Sequence, residues 1–190
     1  MITEEERKRM RVDPVIETSN ELRGRDIEYL DRIRAAVPYE KSPLVKKAIH
    51  TFKYKRIPGL CDELAQLISE VVTDDRSATL CPVPLHWSRR FQRGFNQAEL
   101  LADKLESITN IKKENLLKRV RATGHQAWRG RAERLISVKD AFGLQKGKSV
   151  PLRVILIDDL ATTGATLDAC AKVLKQAGAE HVEAWVVAHG

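Results

Sequence analysis

Cysteine is scarce in this chain, and its placement excludes two structural uses. The 190 residues include three cysteines, Cys61, Cys81 and Cys170, which lie far apart in the sequence. An odd number of separated cysteines argues against a disulfide framework and against a four-cysteine zinc site. Each cysteine has apolar neighbours, so we expect buried thiols in a protein of the reducing cytoplasm.

Long hydrophobic runs are also missing, and acidic residues are fewer than basic ones. No stretch of about 18 apolar residues occurs, so no membrane span is predicted, and the amino-terminal sequence has no apolar signal-peptide region. Lys and Arg outnumber Asp and Glu by 33 to 26, which gives a net charge of +7. The positive charge is clustered in residues 41–56 and 112–134. Such clusters either attract polyanions such as phosphates or nucleic acid, or form an ordinary solvated face.

Residues 154–166 combine several features of an anion-binding site. Their first four residues are aliphatic without a break and predict a strand buried on both faces. Asp158 and Asp159 follow at its predicted end, and a small, hydroxyl-rich loop comes next. Apolar residues at helical spacing then predict a helix over 167–178. Backbone N–H groups at the start of that helix, with the helix dipole, would face a bound phosphate.

The acidic pair needs a partner other than the phosphate, which it would repel. Sugar hydroxyls and a divalent metal are the obvious candidates, and a ribose that carries a phosphate satisfies the whole pattern. The alternative is a buried strand ending in solvated acids, followed by an ordinary capped helix. A dinucleotide fold is disfavoured because no G-x-G-x-x-G occurs. A P-loop is excluded because the full pattern G-x-x-x-x-G-K-[ST] is missing: Gly147-Lys148-Ser149 has Phe142 where that pattern needs its first glycine.

The stretch resembles the phosphoribosyl pyrophosphate (PRPP) signature of type I phosphoribosyltransferases. The resemblance implies that Asp158 and Asp159 are catalytic residues that contact the ribose hydroxyls. It also implies that they hold Mg²⁺ indirectly, through ribose and water. The implied ligands of the 5-phosphate are the residues of the following loop, namely Ala161, Thr162, Thr163, Gly164, Ala165 and Thr166.

The rest of the chain alternates strands with helices, which predicts an α/β fold with a mostly parallel central sheet flanked by helices. We expect a phosphoribosyltransferase-like domain over residues 39–190 and a helical, partly flexible extension over 1–38. Within that extension the pattern predicts a loop over 11–25 and a short amphipathic helix over 26–36. Further strands are predicted at 78–85, 116–120, 139–144 and 181–188, with helices that start at Ser42-Pro43, Leu60 and about Phe95.

Two loops carry further candidate site residues. Arg89, Arg90 and Arg93 follow the first predicted strand and suit forked hydrogen bonds to phosphate. With Lys53 they are candidates to neutralise pyrophosphate, although a solvated loop is the alternative for the arginines. Residues 121–138 form a long polar loop, which is often functional or mobile in a compact domain. By resemblance to type I phosphoribosyltransferases we expect a lid here.

Several motifs in fixed order resemble one subfamily more closely. They are Phe52-Lys-Tyr, Pro82-Val-Pro-Leu, Arg93-Gly-Phe-Asn-Gln and the pattern from Arg119 to Phe142. Together they are similar to the ComF proteins, which are associated with competence and DNA uptake, over roughly residues 39–190. In the lid the matching residues are Gln126 and Arg134. Many ComF proteins begin with a four-cysteine zinc module, whereas residues 1–38 of this chain contain no cysteine.

These patterns predict a Mg²⁺-dependent, PRPP-binding phosphoribosyltransferase that releases pyrophosphate and is associated with DNA uptake. Two other hypotheses stay open. One is a non-catalytic competence factor that contacts single-stranded DNA and other competence proteins, and the other is a regulator that senses PRPP. No residue pattern specifies an acceptor base or an oligomeric state.

Overall fold

The structure is a computed structural model that describes residues 3–55, 57–72, 75–85, 94–120 and 141–190. Helices α1 to α6 span Glu4–Lys8, Ser19–Arg23, Pro43–Tyr54, Pro58–Ser69, Gln97–Thr109 and Ala165–Gln176. Strands β1 to β7 span Val15–Thr18, Arg32–Pro38, Thr79–Pro82, Leu117–Arg119, Phe142–Leu144, Arg153–Ala161 and His181–His189.

Five of the strands form the central sheet, in the order β1-β2-β7-β6-β3. Strand β1 is antiparallel to β2, whereas β2, β7, β6 and β3 are parallel to their neighbours. Strands β4 and β5 pair with each other, antiparallel, in a separate two-stranded sheet. The predicted fold class, a mostly parallel sheet with helices around it, is confirmed.

The hydrophobic core lies on both faces of the sheet. One cluster packs Phe52, Leu64 and Leu101 of the helices α3, α4 and α5 against Trp185 of β7. The other packs α2 and α6 against the opposite face, with Leu167 among its buried residues. Because both faces are covered, the inner strands read as near-continuous apolar runs rather than alternating ones.

Proline and asparagine set the starts of the long helices, largely as the sequence predicts. Pro43 and Pro58 stand in the first turns of α3 and α4, where the missing N–H of proline costs no helical hydrogen bond. The side chain of Asn96 accepts a hydrogen bond from the Ala98 N–H and so caps α5.

Two predictions for the first 38 residues are wrong. Residues 11–25 contain β1 and α2 rather than a loop alone, and residues 32–38 form β2 where an amphipathic helix was predicted over 26–36. In β2, Ile33 and Val37 are buried because β1 and β7 flank the strand on either side. Burial by remote strands overrode the local helical spacing.

Strand β6 is longer than predicted, and this changes the setting of the acidic pair. The strand continues through Asp158 and Asp159 and ends at Ala161, where the backbone still pairs with His189 of β7. The pair therefore lies inside the last part of a strand rather than just beyond it. Strands β4 and β5, which were expected in the main sheet, stand apart from it.

The cysteines are buried and free, as predicted. Burial raises the pKa of the Cys61 and Cys81 thiols to about 11, so neither is a reactive thiolate near neutral pH. Among the residues that the structure describes, no helix has the length and apolarity needed to cross a membrane.

The inner position of β2 generates a test of the predicted boundary between residues 38 and 39. A fragment of residues 39–190 would lose β2 and leave one edge of β7 without its partner strand. We expect it to lack a cooperative thermal transition by circular dichroism, whereas a fragment of 9–190, which lacks only the short helix α1, should melt cooperatively. A cooperative transition of the 39–190 fragment would show that the first two strands are dispensable.

Candidate functional site

The acidic pair stands at the carboxyl end of β6, with one carboxylate on each face of the sheet. Successive residues of a strand point to opposite faces. The buried Asp159 approaches α3, where its Oδ2 lies 3.4 Å from Lys53 Nζ. The half-buried Asp158 lies on the other side, in the electrostatic reach of Arg119 at the end of β4. Each carboxylate thus has a cation supplied by a different element.

The fold holds these two carboxylates close together at a cost. Burial, and then the charge of Asp159, raise the pKa of Asp158 to about 7. The hydrogen bond that the Asp159 N–H donates to Asp158 Oδ1, at 2.8 Å, and the charges of Lys53 and Arg119 oppose that rise. A raised pKa of this kind, with a specific charged partner at the end of a strand, is typical of functional sites.

The loop after β6 leaves the amino terminus of α6 accessible to solvent. Thr162 and Thr163 are exposed, and Gly164 precedes the helix as its N-cap, where it has no side chain to cap the helix. The Thr163 hydroxyl accepts a hydrogen bond from the Ala165 N–H at 3.4 Å. The next N–H groups of the first turn have no partner within the helix. They are available to an anion, which the helix dipole favours.

The backbone conformation at residue 164 favours glycine. The φ of Gly164 is +79°, which lies in the left-handed region that L side chains rarely adopt. The glycine therefore lets the loop turn tightly over the core while it presents its backbone outward.

Lys53 is held at the site by a network that joins three elements. Gln97 Nε2, at the start of α5, donates a hydrogen bond to the Lys53 carbonyl at 3.2 Å. The neighbouring Asn96 Nδ2 donates to the carbonyl of Val83, just after β3, at 3.0 Å. Both amide side chains are buried. This network gives the Asn-Gln pair of the family motif a structural role in placing the lysine.

The predicted site residues are brought together only in part. Lys53, Asp158, Asp159 and the loop of residues 161–166 meet at the carboxyl ends of the parallel strands, where ligands bind in open α/β sheets. Five others lie outside the described residues, namely Arg89, Arg90, Arg93, Gln126 and Arg134. Their roles, and the ligand contacts of the others, stay predictions.

Two residues of this region were missed in the sequence. Arg119, whose guanidinium lies 5.2 Å from the centre of the Phe142 ring, sits beside Asp158. Its signal was available, because it begins the Arg119-to-Phe142 pattern. His189 is buried, and its Nδ1 lies 3.0 Å from the carbonyl oxygen of Ala161. It ends an apolar strand, and no motif or spacing marks it.

Relatives of this chain are found among curated proteins. Competence protein F of Haemophilus influenzae is 34% identical in an alignment of 150 residues that covers 74% of this chain and 66% of that protein. DNA utilization protein YhgH of Salmonella typhi is 32% identical in an alignment of 152 residues that covers 76% of this chain and 66% of that protein. Competence protein ComFC of Bacillus subtilis is 31% identical in an alignment of 147 residues that covers 74% of this chain and 57% of that protein.

The matched region spans just under two thirds of the first two relatives, or 66% of each. No protein-family model matches the chain. Among solved structures, one described as the allosteric regulatory enzyme of purine biosynthesis superposes with a TM-score of 0.45 and 19% identity. That superposition covers 73% of this chain and 30% of the other.

The raised pKa of Asp158 generates a stability prediction. The ordinary pKa of about 3.9 applies in the unfolded chain, so stability falls as pH rises from there to about 7 and the full cost persists above it. We therefore expect Asp158→Asn to stabilise the ligand-free protein at pH 8 by about 1–2 kcal/mol, or roughly 2–8 °C in Tm, and to have little effect near pH 4.

Asp75→Asn is the matched control, with the opposite sign. The hydrogen bond from Ser77 and the ion pair with Arg153 lower the pKa of Asp75, so its substitution should destabilise the protein at pH 8. Thermal melts of the three proteins at both pH values make the comparison. Equal Tm values for wild type and Asp158→Asn at pH 8 would contradict the electrostatic account of the acidic pair.

Proposed function

The chain belongs to the ComF family, and from this membership and the geometry of the acidic pair we propose that it binds PRPP together with Mg²⁺. We further propose that it transfers the phosphoribosyl group to an acceptor with release of pyrophosphate. The observation that carries the proposal is the meeting of Asp158, Asp159 and the open loop before α6 at one strand end. Carboxylates and an anion cradle together fit a phosphorylated sugar.

The two ends of a bound ribose phosphate would be recognised by different groups. The N–H groups and hydroxyls of residues 162–166 bind the 5-phosphate. Asp158 and Asp159 accept hydrogen bonds from the ribose hydroxyls, and because they point to opposite faces they approach the sugar from two sides. A hydrogen bond to a charged group is worth about 1.5–3 kcal/mol. Lys53, 3.4 Å from Asp159, supplies positive charge beside them.

The residues fit Mg²⁺ as an ion bound mainly through the ligand. In the described part of the chain, no group of three or more ligating side chains could hold a metal. Two carboxylates at a strand end nevertheless suit Mg²⁺, which keeps several waters and takes phosphate oxygens from its substrates. Asp158 and Asp159 would hold it through the ribose and water. When bound, the ion neutralises charge on the pyrophosphate.

In the proposed reaction the protein positions the substrates and forms no covalent bond to them. A nucleophile on the acceptor, commonly a base nitrogen, forms a bond to C1 of the ribose. The bond from C1 to the pyrophosphate oxygen breaks, its electron pair leaves with pyrophosphate, and the proton of the nucleophile passes to solvent or to the leaving group. The protein lowers the barrier by fixing the sugar between the loop and the acidic pair and by placing positive charge at the leaving group.

The proposed cellular setting follows the names of the relatives. These names refer to competence and to the utilization of DNA, so the family links this chain to competence. We propose that it acts in the cytoplasm, which its free, buried cysteines favour. The transfer reaction would then act on a product or partner of DNA uptake.

A direct test is the affinity of the protein for Mg-PRPP by calorimetry. The double variant Asp158→Asn/Asp159→Asn removes the charged acceptors for the ribose hydroxyls, so we expect it to bind at least about 100-fold more weakly. Asp62→Asn, which neutralises an exposed acid paired with Lys104 on the far helices, is the control and should bind as wild type does. Unchanged affinity of the double variant would sink the ribose assignment.

Turnover is tested separately, with a panel of base acceptors and pyrophosphate release as the readout. Release with at least one acceptor is expected. Binding of Mg-PRPP without release from any acceptor would instead favour a PRPP-sensing regulator.

The hypothesis of a DNA-binding factor is weakened by the pairing of the first basic cluster. Lys46 Nζ lies 2.7 Å from Glu40 Oε2, and Lys47 Nζ lies 2.7 Å from Glu6 Oε1. Lys53 faces Asp159. These carboxylates offset much of the charge that residues 41–56 would offer to a polyanion.

Single-stranded DNA binding therefore has an expected outcome of its own. We expect an oligonucleotide neither to compete with Mg-PRPP nor to bind appreciably at about 150 mM salt, where phosphate contacts are screened. Fluorescence anisotropy over a salt series measures this. Tight binding at that salt, with a steep decline as salt rises further, would revive the DNA-binding hypothesis.

A further inference from the structure

Residues 162–166 are called the phosphate loop here, after the ligand group proposed for them. Behind this loop lies a chain of buried polar side chains that has no role in the proposed function. His189, at the end of β7, places Nδ1 3.0 Å from the carbonyl oxygen of Ala161 and Nε2 2.9 Å from Glu17 Oε2. Glu17 lies in β1, and its other oxygen, Oε1, is 2.5 Å from Nη2 of Arg25. The chain thus runs from Arg25 at the surface to the last residue of β6, directly before the loop.

The burial of this chain makes its hydrogen bonds strong. His189 is 4% exposed and Glu17 is 8% exposed. In such surroundings a polar group without a partner is costly, and satisfied hydrogen bonds reinforce one another. Both nitrogens of the imidazole face acceptors, a carbonyl and a carboxylate.

The contact with Ala161 fixes the direction of the first N–H group of the loop. The Ala161 carbonyl accepts hydrogen bonds from both His189 Nδ1 and the Gly190 N–H, at 3.0 Å each. The peptide bond is planar and trans, so the Thr162 N–H points the opposite way from that carbonyl, away from β7. No acceptor for this N–H occurs among the described residues. It is therefore a preset donor at the mouth of the loop.

We propose that His189, held by Glu17, is a positioning residue for the phosphate loop. The pair locks the peptide between Ala161 and Thr162 so that the Thr162 N–H faces the 5-phosphate. The hydrogen bond from the imidazole also polarises that peptide, which makes its N–H a better donor. This inference rests on the proposed function, because it assigns the pair to the phosphate of the same ligand.

The test compares binding of the whole ligand with binding of its two parts, ribose 5-phosphate and pyrophosphate. Calorimetry measures the affinity for Mg-PRPP, for ribose 5-phosphate and for inorganic pyrophosphate with Mg²⁺. We expect His189→Leu to weaken binding of PRPP and ribose 5-phosphate about 10-fold, the loss of roughly one hydrogen bond to a charged group. Pyrophosphate affinity should not change, whereas general damage to the fold would lower all three.

Two further variants make the result specific. His189→Asn retains an amide N–H that can reach the Ala161 carbonyl, so it should recover most of the lost affinity. His181→Asn changes the histidine at the other end of β7, which contacts Asp31 and Glu183 rather than the loop, and should bind as wild type does. Equal ribose 5-phosphate affinity in wild type and His189→Leu would overturn the proposal.

Hydrogen exchange of the ligand-free proteins distinguishes a failure here from a failure of the proposed function. Amides of residues 162–166 should exchange faster in His189→Leu than in wild type, and His189→Asn should restore the slower rate. If wild type binds no PRPP, the proposed function fails, and the loop is then judged by exchange alone. Equal exchange in wild type and His189→Leu would refute the positioning role in either case.

Discussion

The site depends on one strand that changes character along its length. Residues 154–157 of β6 are aliphatic and buried, and their pairing with β7 and β3 fixes the register of the strand in the sheet. The second half carries Asp158 and Asp159 into the same pairing. Because the pleat turns successive side chains to opposite faces, neither carboxylate can leave its side without breaking the register. The separation of the two acids is therefore a property of the sheet.

On each face of the sheet, the carboxylate lies near a cation from a different structural element. Lys53 reaches Asp159 from α3, and Arg119 influences Asp158 from the small sheet of β4 and β5. The two cations lower the cost of the acids without cancelling it, since the pKa of Asp158 remains raised. A site that remains electrostatically costly without ligand gains most when hydroxyls or a hydrated cation arrive. Stability is thus given up at the position where the proposed ligand would bind.

The strand, the acidic pair, the loop and the helix of the candidate site could be predicted from the sequence, because their signals are local. Four aliphatic residues, two acids, a glycine and a helical repeat follow one another, and the glycine takes the left-handed conformation that only a tight turn requires. Strand β2 gave no such signal. Its burial comes from β7, whose Ala184 pairs with Ile33 across a long stretch of chain. The extent of β6 past its acids was missed for the same reason, since remote pairing sustains it.

The two chain segments whose roles were missed or misassigned meet at the phosphate loop. Strand β1 supplies Glu17, which contacts His189 of β7, and His189 in turn contacts the carbonyl oxygen of Ala161 at the end of β6. The direction of a backbone N–H group is set by the peptide that carries it, so the orientation of the N–H groups in residues 162–166 depends on contacts behind the loop. Here that support includes a strand from the predicted amino-terminal extension. The first 38 residues therefore belong to the sheet and also contact the residue behind the loop, which would couple the folding of the extension to the proposed recognition of PRPP.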